Sequence, residues 1–105
     1  MIVEYVRYSL AQHTPEELIA AYGKAGKFLA KSPECLGYEL AQCIEEANTF
    51  VLRIQWTSND GHLVGFRQGP NFPPFLAEIR AFMPEISEMR HYHAIPNLIY
   101  TGEKP

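Results

Sequence analysis

Between Ile2 and Ser9 the chain mixes β-branched and aromatic residues with polar ones and contains neither Gly nor Pro, the pattern of a strand. Its two faces are Ile2, Glu4, Val6, Tyr8 and Val3, Tyr5, Arg7, Ser9. Neither face is purely polar, so both are expected to be at least partly covered. The period then changes from two to three and four. Leu18, Ile19, Tyr22, Ala25, Gly26 and Leu29 fall on one helical face, behind a start signal in which Thr14 caps, Pro15 opens the first turn and Glu17 completes a capping box. Ser32-Pro33 stops this helix, and Lys24, Lys27 and Lys31 near its end complement the helix dipole. Residues 35–43 and 49–56 read as a strand hairpin turning at EEAN. The second strand is the clearest of the chain, with Phe50, Leu52, Ile54 and Trp56 alternating against Val51, Arg53 and Gln55. Thr57, with Asp60 three residues on, predicts a helix to about Phe66, which Gly69-Pro70 interrupts. Phe75, Leu76, Ile79, Phe82 and Met83 predict a second helical piece over 73–83. Alternation returns over 88–95, where Met89, His91 and His93 oppose Arg90, Tyr92 and Ala94, and residues 96–105 read as a tail or arm.

Strand, helix, strand, strand, helix, strand is the order of the α+β, ferredoxin-like βαββαβ plan, a four-stranded antiparallel sheet with both helices on one face. The other face is left open. A chain of 105 residues is one small domain, 1–105, and buries only about 65% of its unfolded surface by itself. Aromatics nevertheless make up 12% of it, and several fall in strands. Placed on sheet faces that one subunit does not cover, they predict a homodimer whose sheets pack face to face and enclose a cavity, a dimeric α/β barrel. Alternation alone leaves open which face of strand 49–56 lines that cavity. If Phe50, Leu52, Ile54 and Trp56 pack beneath the helices, then Val51, Arg53 and Gln55 face the partner.

Composition and charge narrow the function classes. Hydrophobic residues at 47% and charged residues at 20% are ordinary for a soluble globular protein. A net charge of −3 lacks the basic footprint that nucleic acid demands. Apolar runs are a few residues long, and Glu4 and Arg7 interrupt the N-terminal one, so neither a membrane span nor a signal peptide is expected and the protein is placed in the cytoplasm. Cys35 and Cys43 lie eight positions apart on one strand, roughly 26 Å, and are expected to be free thiols. No nucleophile elbow, phosphate loop, dinucleotide fingerprint or zinc spacing occurs. His62, His91 and His93 are not joined by a second ligand motif, so no metal is expected.

The titratable residues that remain suggest general-base chemistry. His62 falls in the first turns of the second helix, where the positive end of the dipole favours a neutral imidazole, the form a base requires. His91 and His93 share one strand face and are alternatives to it. Arg53, Arg7 and Arg90 are placed to steady an anionic oxygen, or else to pair with Glu39, Glu4 or Glu88 across strands.

PECLGYEL entering the second strand, FVLRIQWTS ending the third on a tryptophan, HLVGFRQGPNF over the broken helix and EMRHYHAI as the last strand are together similar to the antibiotic biosynthesis monooxygenase family of dimeric α/β barrels. The resemblance runs from Ile2 to about Ala94 and implies a cofactor-independent oxygenase that converts a phenolic or polyketide-like aromatic, or a quinol, with dioxygen. It also implies that Trp56 stands where some members place a pocket tryptophan. The asparagine that the polyketide oxygenases carry four positions earlier is here Leu52. His62 and Trp56 are then the expected catalytic pair, with Tyr8, Arg53, Phe66, His91 and His93 as substrate contacts. The heme-degrading pattern of the same fold is missing at Val6, Arg7, Phe66 and Leu76. The reading from a different class is a non-catalytic binding or partner module on this scaffold, which a cavity filled by Phe, Met and Leu with no polar group reaching in would favour.

Overall fold

The computed structural model describes residues 1–102, except the side chains of residues 61–63. Four strands, β1 (Ile2–Ser9), β2 (Cys35–Gln42), β3 (Thr49–Trp56) and β4 (Ile86–His93), form one sheet in the order β2-β3-β1-β4, with every neighbouring pair antiparallel. With α1 (Pro15–Lys31) and α2 (Phe72–Ile79) between them, this is the ferredoxin-like α+β fold that the order of elements predicts.

Helix α1 begins as its sequence dictates. The Thr14 backbone N–H donates to the Glu17 carboxylate at 2.9 Å and the Glu17 N–H donates back to the Thr14 hydroxyl at 3.2 Å, so two orphan donors of the first turn are satisfied. Its buried stripe is Leu18, Tyr22, Ala25, Gly26 and Leu29. Gly26 makes room for a close approach: a Cβ there would meet the hydroxyl end of Tyr38, which leans on the helix from β2, and that exposed ring would have to turn aside.

Three elements differ from expectation. The helix predicted from Thr57 is a π-helical turn, Gly61–Phe66, and the Thr57 N–H donates to the Glu34 carbonyl at 2.9 Å. The piece predicted over 73–83 is α-helical only over Phe72–Ile79 and tightens to a 3₁₀ turn over Arg80–Glu85, which contains Pro84. Strand β4 starts two residues earlier than its alternation suggests, because Ile86 pairs with Tyr8 across a register shift at Arg7 and Tyr8.

The register decides the sheet faces. Ile2, Glu4, Val6 and Tyr8 stand opposite Trp56, Ile54, Leu52 and Phe50, and all eight are buried. This face lies under the helices, so Val51, Arg53 and Gln55 belong to the open face. The aromatic surplus therefore goes somewhere other than expected. Tyr8, Phe50, Trp56, Phe66, Phe75 and Phe82 are buried within one subunit, since α1 and α2 supply the apolar surface that β1 and β3 need. On the open face stand Tyr5 and Tyr92, whose rings meet edge to face at 5.5 Å. Residues after β4 make a short 3₁₀ turn, Pro96–Leu98, with Leu98 and Tyr100 exposed. Among the described residues, no helix is long and apolar enough to cross a membrane.

Candidate active site

Between the helices and the covered face of the sheet lies a cavity of about 130 Å³, walled chiefly by side chains such as Leu52, Ile54, Phe72 and Met83. A volume of that order takes a single aromatic ring, so a polycyclic molecule enters it by one ring. Its aromatic wall is continuous: the Phe66 ring lies 5.1 Å from Trp56, 5.3 Å from Phe75 and 5.5 Å from Phe72, and Phe75 in turn lies 6.4 Å from Tyr22. Such tilted and edge-on contacts fix ring positions beyond simple burial.

Two buried polar groups enter this apolar space, and the exposed Arg67 borders it. The first is Glu4, 3% exposed, on the buried face of β1 where strand alternation puts an acid among Ile2, Val6 and Tyr8. Trp56, fully buried at the end of β3, donates its indole N–H to Glu4 Oε1 at 3.0 Å. His91, directly opposite on β4, brings Nε2 to 3.5 Å from Glu4 Oε2. Burial drives the Glu4 carboxyl above the ordinary value, and the Trp56 hydrogen bond and the charges of His91 and Arg67 reverse this only in part. A carboxyl tuned this way is suited to take a proton near neutral pH.

The second is a pair of phenols. Tyr8 on β1 and Tyr22 on α1 are 1% and 5% exposed and bring their hydroxyls to 2.5 Å. Burial raises both pKa values, and the neighbouring Glu4 charge adds to the effect, so both remain protonated hydroxyls.

The expected site residues divide. Trp56, Tyr8 and Phe66 line the cavity, and His91 reaches its edge through Glu4. His93, on the same face as His91 and exposed like it, stands opposite Ile2 at the end of the strand. Arg53 points away to the open face, 3.9 Å from Glu39, because β3 turns its apolar side to the helices. The side chain of His62 lies outside the described residues. Glu4, Tyr22 and Arg67 also line the cavity but are not among the expected site residues. An acid on an otherwise apolar strand face was the available signal for Glu4, whereas Tyr22 is indistinguishable in sequence from any member of a helical apolar stripe. Among the described residues, no three metal-ligating side chains gather.

Comparison with known proteins agrees with this architecture. The chain is 19% identical over 95 residues to YczJ, an uncharacterized protein of Bacillus subtilis, covering 90% of this chain and all of that one. Among solved structures, SnoaB, a cofactor-independent oxygenase from Streptomyces nogalater, superposes with a TM-score of 0.71 at 21% identity, over 90% of this chain and 92% of SnoaB. PA3566 from Pseudomonas aeruginosa superposes with a TM-score of 0.63 at 18% identity, over 87% and 88% of the two chains. These identities establish a shared fold. The family model described as antibiotic biosynthesis monooxygenase matches residues 1–82, which takes in the strands bearing Glu4 and Trp56, the helix bearing Tyr22 and the aromatic wall: the chain belongs to the antibiotic biosynthesis monooxygenase family.

Proposed function

We propose that this protein oxidises a phenolic or polyketide-like aromatic, or a quinol, with dioxygen and without flavin or metal. The observation that carries the reading is a buried carboxylate, Glu4, held by Trp56 at the wall of an aromatic chamber of ring size. Loss of a proton from an acidic C–H or O–H of the substrate to Glu4 leaves an electron-rich anion in a dry site, where it reduces dioxygen and forms a C–O bond. Protonation of the resulting peroxide, removal of the hydrogen that remains on the oxygenated carbon and cleavage of the O–O bond give a carbonyl and water. For a CH₂ centre the balance is one CH₂ and one O₂ to one C=O and one H₂O, so no external reductant is needed. Polar groups reaching into the cavity favour this over the non-catalytic module.

The test is oxygen uptake by the purified, flavin-free and metal-free protein with an anthrone or a hydroquinone. Uptake no faster than in buffer would end the reading. His62, just after Trp56 in sequence, is the other base in play. A His62→Ala variant turning over near the wild-type rate leaves the proton to Glu4, whereas loss of most of the rate in an otherwise intact protein assigns it to His62.

In the same reading two copies associate through the open face, where Tyr5, Val51 and Tyr92 border a shallow groove with Arg7 and Glu88. The Tyr5–Tyr92 pair supplies the aromatic surface that association buries. Light scattering at micromolar concentration is expected to give twice the chain mass, and Tyr5→Glu, which puts a charge into that contact, to return it to one. A wild-type monomer would remove the dimer from the proposal.

A further inference from the structure

Counting hydrogens on the Tyr8–Tyr22 pair gives an imbalance. Two hydroxyls carry two protons, and one is used between them at 2.5 Å, whichever ring donates. The second proton has no acceptor among the described residues; the other contacts of these rings are edge-on packing with each other and with Phe75. Both residues are more than nine-tenths buried and both border the cavity. Buried donors are almost always satisfied, so one left over at a cavity wall marks where a ligand acceptor belongs.

We propose that the Tyr8–Tyr22 pair is the subsite for a carbonyl or phenolic oxygen of the substrate, with one hydroxyl donating to that oxygen while the other donates to its partner. The chain of two donors polarises the outer one and strengthens it. This assignment rests on the cavity being the reactive chamber, but its test involves no turnover, so the two readings fail separately.

The probes are 1-indanone and indane, which differ by the carbonyl. Infrared spectroscopy of indanone bound to the wild-type protein is expected to show a carbonyl stretch below its value in an apolar solvent. An unshifted stretch would overturn the subsite. The Tyr8→Phe/Tyr22→Phe double variant is expected to bind indanone about tenfold more weakly, the loss of one good hydrogen bond, and indane within twofold of wild type. Retained indane binding reports an intact cavity in the variant. Equal weakening of both probes would make the pair a packing contact and refute the assignment. The single variants order the donors: replacing the outer tyrosine removes most of the indanone preference, replacing the inner one only part.

Discussion

Glu4→Gln is expected to lower oxygen uptake with an anthrone substrate by roughly 10³-fold while making the protein more stable at neutral pH. The first effect follows from removing the base, since a positioned proton acceptor contributes about 10²–10⁴ in rate. The second follows from where the carboxylate sits. Burial raises the Glu4 pKa above its ordinary 4.5, which the Trp56 hydrogen bond, His91 and Arg67 offset only in part. Below about 4.5 the group is protonated in folded and unfolded chains alike and contributes nothing to the pH dependence. As pH rises from there, the unfolded chain releases the proton first, so folding is progressively disfavoured until the folded pKa is passed. Glutamine keeps the shape and an oxygen for the Trp56 N–H but has no charge to bury. The difference in melting temperature between variant and wild type should therefore be near zero in acid and grow toward pH 7. The wild-type rate should rise with pH through an apparent pKa above the usual carboxylate range. A variant with full activity, or one less stable than wild type at pH 7, would remove Glu4 from its proposed role. A residue whose loss stabilises the fold while ending the chemistry is the pattern expected where function and stability oppose each other.

Glu85→Gln should act in the opposite sense. Glu85, buried at the end of the 3₁₀ turn, accepts the backbone N–H groups of Ala11 and Gln12 at 2.6 Å each and of His13 at 3.3 Å, and the His13 ring meets its other oxygen at 2.5 Å. Burial by itself would raise this carboxyl. The Ala11 N–H, the His13 ring and the N–H groups of Gln12 and His13 outweigh it and hold the pKa down to about 2. With the folded value below the unfolded 4.5, the group stabilises the fold fully above 4.5, and that contribution is lost as pH falls through about 2. The carboxylate ties the β1–α1 connection to the turn before β4, segments more than seventy residues apart in sequence. Glutamine offers one acceptor oxygen and no charge to the same donors. Its melting temperature at pH 7 should fall by roughly 5–10 °C, with the gap to wild type closing toward pH 2. A gap that persists unchanged to pH 2 would show that the carboxylate charge is not what holds the connection. The Glu4 and Glu85 variants thus change stability with pH in opposite directions, and thermal melts across the acid range separate them.

Much of the fold is written in short-range pattern. The Thr14–Glu17 capping box, the Leu18–Leu29 stripe and the alternation of Phe50 to Trp56 each report a period or a local hydrogen bond, so they are legible one element at a time. The π-helical turn and the 3₁₀ ending of the second helical piece were not, because Gly65 and Pro84 fit several turn geometries until neighbouring elements select one.

The candidate site follows the same division. Trp56, Tyr8 and Phe66 are legible as large aromatics in strands and at a helix end, and they do line the cavity. Arg53 looks equally suited by type, but one step of alternation sends it to the other side of the sheet. Glu4 reads two ways in sequence, because an acid on an otherwise apolar strand face is a signal but an acid in a strand is usually solvated. It becomes a buried group only when β1 is flanked by β3 and β4 and covered by the helices, which bring Trp56 from 52 residues away and His91 from the facing strand. By itself the sequence determined the elements, their order and hence the ferredoxin-like sheet, since those depend on periodicity and local capping. Only the tertiary structure decided which sheet face is covered, where the aromatics go and which polar groups reach the cavity, because burial, desolvation and hydrogen-bond partners are set by residues distant in the chain.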